Sequence, residues 1–176
     1  TVMRNSTAPA ATGSFVKNGP GTLQIEGGGT GNSYGGTTLV NEGTVVLYKN
    51  AGANAIPVGA LTVGDDIGGT DADRVIVRNS NQIADANDVT ITGSGLFDLS
   101  TFNTSEQVAS LTGTGNITLG PGSVLTVGGA TTAVFSGVIT GAGSFVRTGT
   151  GSQTLAGTHT YSGTTTVDRK STRLNS

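Results

Sequence analysis

The sequence predicts an all-β chain wound as a right-handed parallel β-helix, a solenoid with three short strands per coil. Three observations carry that expectation. Two stretches about 130 residues apart are copies of one another: Gly13–Gly27 reads GSFVKNGPGTLQIEG and Gly143–Gly157 reads GSFVRTGTGSQTLAG. Fifteen short strand-like runs follow along the chain, most closed by Gly, Asn or Asp. The composition, with 30 Gly and 30 Thr among 176 residues, disfavours helices and supplies strands and tight corners.

In order, the runs are SFVK, TLQIE, TTLV, TVVLY, ALTV, RVIVR, DVTIT, GLFDL, QVASL, GNITL, SVLTV, AVFSGVI, SFVR, SQTLA and TTTV. Most alternate apolar and polar residues, as strands with one buried face do. Leu23 and Ile25 are expected inside, with Thr22, Gln24 and Glu26 outside; Ile117 with Leu119 and Leu125 with Val127 follow the same period. The best helix-like piece, Ile83–Asp88, is too short to nucleate alone. A β-sandwich needs about seven to nine strands and no internal copy. A solenoid needs many short strands with similar residues stacked from coil to coil, and the duplication meets that requirement.

The duplication extends further. Tyr34–Asn41 (YGGTTLVN) matches Tyr161–Asp168 (YSGTTTVD), so the offset falls from 130 to 127 and the first copy carries three extra residues in its Gly-rich GGGTGNS run. Phe15 with Phe145, Val16 with Val146, Ile25 with Leu155, Tyr34 with Tyr161 and Val40 with Val167 keep their apolar character. A unit that preserves apolar positions and glycines while varying the rest is built to stack.

Charge and cysteine content exclude several classes. The net charge of −2 and the lack of a basic stripe argue against nucleic-acid binding. No apolar run reaches 18 residues, and cysteine is absent, which removes disulfides and Cys-ligated metals. Charged residues are 11% of the chain, too few for simple charge-driven disorder. Residues 168–176, DRKSTRLNS, carry three of the nine Lys and Arg residues and no strand pattern. That string resembles translated sequencing-adapter readthrough and is set aside as a non-native tail, a natural basic tail being the alternative. Residues 1–167 are thus read as one β-helical segment, with repeat copies at 13–47 and 143–167.

The ordered pattern GSFVKNGPGTLQIEG … NSYGGTTLVNEGTVVL resembles the autotransporter-associated β-strand repeat, also called the passenger-associated transport repeat. The linking segments LTVGDDIGGTDADRVIVRNSNQIADANDVTITGSGLFDLSTF and SLTGTGNITLGPGSVLTVGG are similar to those between such repeats, so the resemblance covers about 155 residues. It implies a right-handed, pectin-lyase-like β-helical stalk of a large secreted or outer-membrane-associated protein of a Gram-negative-type bacterium. The passenger would be exported by type V secretion through a C-terminal β-barrel, with the repeat assisting export and folding. The expected partners are further repeats and a barrel or other anchor on the same polypeptide, with a glycan or cell-surface ligand as a possible addition, and no nucleic acid. The chain is read as an internal passenger fragment.

Several residues invite chemical readings. Asp65, Asp66, Asp71 and Asp73 form the densest acidic group, but without the spacing of a Ca²⁺ loop, and a solvated turn is expected. Asp85, Asp88 and Asp98 are the carboxylates available for glycoside chemistry, which needs paired acids on one face. His159 can be drawn with Ser162 and Asp168 as a triad, yet their first-copy counterparts are Gly35 and Asn41. The strings Gly27–Gly31, Thr112–Asn116 and Thr148–Ser152 lack the following helix of a phosphate cradle and are read as corners. Tyr34 and Tyr161 are expected to stack between coils, and Asn5, Asn103 and Asn116 fall in sequons without meaning in bacteria. No catalytic, cofactor or metal residue is assigned. The expected function is a structural stalk, with an adhesin-like binding module as the alternative and a polysaccharide-degrading β-helix a distant third.

Overall fold

The computed structural model describes residues 12–168, so the tail after Asp168 and the sequon at Asn5 lie outside the described residues. The described chain is all β, with no helix. In chain order the strands are β1 (Phe15–Lys17), β2 (Thr22–Gly27), β3 (Thr38–Val40), β4 (Gly43–Lys49), β5 (Ala60–Val63), β6 (Asp73–Val77), β7 (Asp88–Ile91), β8 (Gly95–Leu99), β9 (Ser105–Val108), β10 (Ser110–Gly113), β11 (Asn116–Leu119), β12 (Val124–Val127), β13 (Ala133–Phe135), β14 (Val138–Gly141), β15 (Ser144–Arg147), β16 (Gln153–Leu155) and β17 (Thr165–Val167).

These strands form three parallel sheets, the faces of a solenoid of about seven turns. Face I runs β1-β3-β5-β7-β10-β13-β16, face II runs β2-β4-β6-β8-β11-β14, and face III runs β9-β12-β15-β17. Three strands per coil are complete from β7 to β15. In the earlier coils face III is irregular chain, tied by a parallel bridge between Ile56 and Ile83 and by the bond from Asn32 N to Asn54 O (2.9 Å).

The stacking register explains the core. On face II, Leu23, Val45, Val75, Phe97, Ile117 and Ile139 lie in one column, one residue per coil. On face I, Val40, Val63, Ile91, Gly113, Phe135 and Leu155 form another. Ile25 is fully buried, as its alternation predicts, whereas Leu155 in the last coil is only partly buried. Each fully buried Leu or Ile contributes roughly 1.5–3 kcal/mol. Outside, Thr90 and Thr112 share a hydrogen bond at 2.9 Å, and Asn41 Nδ2 donates to Asn18 Oδ1 at 3.1 Å, so polar ladders run alongside the apolar columns.

Candidate functional site

The duplicated stretch folds as a complete coil in both copies, and the two coils use the same contacts. In the first, β1 pairs with β3, placing Phe15 beside Thr38 and Lys17 beside Val40. In the second, β15 pairs with β17, placing Phe145 beside Thr165 and Arg147 beside Val167. The first copy begins on face I and the second on face III, so the unit is rotated by one face of the solenoid. Its internal pairing survives the rotation. The repeat therefore specifies a coil, independent of which face it occupies.

Two side-chain devices recur with it. The Tyr34 hydroxyl shares a 2.6 Å hydrogen bond with Thr38 Oγ1, and Tyr161 makes the same 2.6 Å bond to Thr165 Oγ1. The Tyr34 ring also lies 6.2 Å from that of Phe15, and burial raises its hydroxyl pKa, an effect that the Thr38 bond opposes. The second device is a cation at an inward strand position. Lys17 Nζ donates to the carbonyls of Gly19 and, at 2.9 Å, Glu42 of the next coil. Arg147, 8% exposed, donates to Val127 O (2.6 Å) and Gly129 O (2.8 Å) of the previous coil and to Thr148 O of its own. Both cations gather backbone carbonyls where a strand gives way to a corner; Val127 O and Gly129 O each accept a backbone N–H as well, from Thr148 (3.0 Å) and Gly151 (3.3 Å).

The sequence-flagged acids take separate roles. Asp65 Oδ1 accepts from Ile67 N (2.9 Å), Asp66 Oδ1 from Gly93 N (2.6 Å) and Asp71 Oδ1 from Asn116 Nδ2 (2.8 Å). Asp66 and Asp71 have positive φ, at 66° and 60°, as turn residues do. Asp73 differs: it is buried, Ser94 Oγ donates to its Oδ2 at 2.6 Å, and Oδ1 has no partner among the described residues. Burial, helped by the charges of Asp65 and Glu42, raises its pKa against the Ser94 bond. Among the described residues no group of three or more His, Asp or Glu side chains converges as a metal site requires.

The glycosidase candidates are not brought together. Asp88 opens β7 on face I and binds Ser110 Oγ at 2.5 Å, Asp98 lies on face II with Arg74 at 3.5 Å, and Asp85 meets Gln107 Nε2 at 3.2 Å. His159 bonds neither Ser162 nor Asp168. Its Nδ1 accepts from Ile139 N at 3.2 Å, where a neighbouring strand would present a carbonyl, and its ring stacks on Phe135 at 6.3 Å. Burial lowers its pKa, consistent with a neutral ring acting as acceptor. The three Gly-rich strings are corners or loops, with no helix after them.

Sequence reasoning missed the inward-facing polar groups. Glu106 is 1% exposed and accepts from Gln82 N (2.8 Å) and Ile83 N (3.1 Å). Gln82 and Gln153 each use the side-chain amide as a peptide surrogate. Gln82 Oε1 accepts from Lys49 N at 2.7 Å while its Nε2 donates to Lys49 O at 3.3 Å; Gln153 does the same to Leu111 N and O at 3.1 and 2.8 Å. Period-2 alternation carries the signal for Glu106, which shares the inward phase of Val108 in SEQV.

Comparison with curated protein sequences and with solved structures found no match. Comparison with family models matched the passenger-associated-transport-repeat twice, over residues 15–47 and 145–169. These two matches fall on the two coils just described, differing by at most two residues from the repeat boundaries read in the sequence. The chain is a parallel β-solenoid that carries two passenger-associated-transport-repeats.

Proposed function

We propose that this segment is a structural stalk within the passenger of an autotransporter-type protein, secreted or displayed at the surface of a Gram-negative-type bacterium. One observation carries the reading: the two transport repeats are stackable coils joined by continuous solenoid. With layers about 4.8 Å apart, seven layers separate the ends by about 30 Å. Each parallel sheet runs without interruption through its coils, which suits a rigid spacer. The repeat coil, with its own Tyr–Thr and cation contacts, supplies a unit that folds against whatever coil precedes it, which suits stepwise folding during export.

The test is surface display. The segment is fused between an N-terminal epitope and a β-barrel translocator, and antibody access to the epitope is compared with and without the segment. A stalk improves access at equal export. Replacing Phe15, Tyr34, Phe145 and Tyr161 by Ala tests the export role, which predicts a severalfold drop in displayed protein. Unchanged access on removing the segment overturns the stalk, and unchanged yield in the quadruple variant overturns the export role. The adhesin-like reading is favoured by one surface feature, described next.

A further inference from the structure

We propose that the corner after β4 carries a binding cleft for a carboxylate-bearing sugar residue, centred on Tyr48 and Lys49. This goes beyond the stalk reading and does not depend on it. A cleft of about 350 Å³ opens there, lined by Glu26, Gly27, Tyr48, Lys49, Asn50 and Asn79, within the size range of small-molecule sites.

Tyr48 points outward from β4 and is 45% exposed. Its position is fixed, because the Arg78 guanidinium lies 5.3 Å from its ring centroid and 4.8 Å from that of Phe102. An exposed ring held in place on a rigid sheet is a platform for the C–H face of a sugar ring. The polar lining suits hydroxyl groups. Glu26 uses one carboxylate oxygen toward Gln24 and keeps the other, and the exposed Asn50 amide is free of side-chain bonds among the described residues. Asn79 is occupied: its Nδ2 donates to Lys49 O at 3.0 Å and its Oδ1 accepts from Ser80 N at 3.1 Å, so it shapes the wall.

Lys49 supplies the charge preference. It occupies an inward position at the end of β4, is 3% exposed and lines the cleft, yet its ammonium has neither a hydrogen bond nor an ion pair among the described residues. Its stem is buried, but the ammonium is not among the side-chain atoms sealed from solvent, so it meets only water at the cleft wall and is open to an anionic partner. The other two inward cations among the described residues, Lys17 and Arg147, each donate to backbone carbonyls. A carboxylate on a sugar stacked at Tyr48 completes the contacts that Lys49 lacks.

The test is an NMR titration of the 176-residue chain with trigalacturonate and with maltotriose as the neutral probe. The expected result is saturable shifts at Tyr48, Lys49 and Asn50, with the uronate bound at least tenfold tighter. Tyr48→Ala is expected to weaken uronate binding at least tenfold. Lys49→Met is expected to abolish the preference over maltotriose without lowering the thermal midpoint. Asn50→Ala, at an exposed position, is expected to weaken binding severalfold in a chain of unchanged stability. Absence of saturable shifts at millimolar trigalacturonate, equal affinity for the two sugars, or undiminished binding in both Tyr48→Ala and Asn50→Ala overturns the proposal.

Discussion

The 2.6 Å hydrogen bond between Tyr34 and Thr38 ties the last corner of the first repeat coil to the strand that follows it. Its recurrence between Tyr161 and Thr165, on a different pair of faces, makes it a property of the repeat and not of its surroundings. The bond also explains why both copies read Tyr-x-Gly-Thr-Thr: the tyrosine reaches the second threonine, four residues on.

Removing the hydroxyl alone isolates that bond. Tyr34→Phe is expected to lower stability by about 1 kcal/mol, the usual worth of one intramolecular hydrogen bond. The double variant with Thr38→Val is expected to cost less than the two single changes together, because neither partner is then left unpaired. Urea denaturation of the four chains closes the cycle, and strict additivity would show that the contact carries no energy.

The inward cation gives a sharper local effect. Arg147 is buried among valines of its column and serves carbonyls of two coils, so Arg147→Met leaves Val127 O and Gly129 O without its donors. A loss of about 2 kcal/mol is expected, with Arg147→Lys intermediate, since the ammonium lacks the planar fork. Hydrogen exchange is expected to rise first around 127–129 and 148; uniform acceleration along the chain would contradict the local role.

The corners were the least legible part of the sequence. Two of the fifteen strand-like runs each contain a corner: QVASL is split at Ala109 between β9 and β10, and AVFSGVI at Ser136 and Gly137 between β13 and β14. Ala109 carries no turn signal, and Gly137 was hidden in an apolar run. The columns were legible because period-2 alternation places Leu23, Ile25, Ile117, Leu119, Leu125 and Val127 inside without knowledge of their neighbours. The irregular face III of the early coils, and the Glu106 and Gln82 contacts that close it, depend on residues 23 to 33 positions apart. Nothing local encodes them. The same holds for the cleft at Tyr48, which joins residues of three successive coils.

Glycine corners separate backbone strain from steric contact. Gly52 and Gly113 both have positive φ, at 83° and 106°. A Cβ at Gly52 meets nothing within 4 Å, whereas one at Gly113 would strike the Ile91 carbonyl of the coil below. Gly52→Ala is expected to cost about 1 kcal/mol from strain alone. Gly113→Ala, which also forces two coils apart, is expected to cost about 3 kcal/mol or more. Thermal midpoints of the two variants make the comparison, and equal losses would mean that the coils yield freely at this corner.

Glu106 sets the pH dependence. Burial pushes its carboxyl from 4.5 to about 8, helped by the charge of Asp85 and opposed by the N–H bonds from Gln82 and Ile83. The folded chain then holds this proton more tightly than the unfolded chain. The contribution to stability is complete below about pH 4.5 and is lost as pH rises through about 8. Urea midpoints are therefore expected to fall from pH 5 to pH 9. In Glu106→Gln that slope is expected to flatten, because no proton is exchanged at the site. At pH 5 the variant is expected to be less stable by roughly 1–3 kcal/mol, since an amide offers one acceptor oxygen to two backbone donors. A wild-type midpoint that rises over this range would mean that the buried carboxyl is ionised, with its two N–H bonds outweighing desolvation.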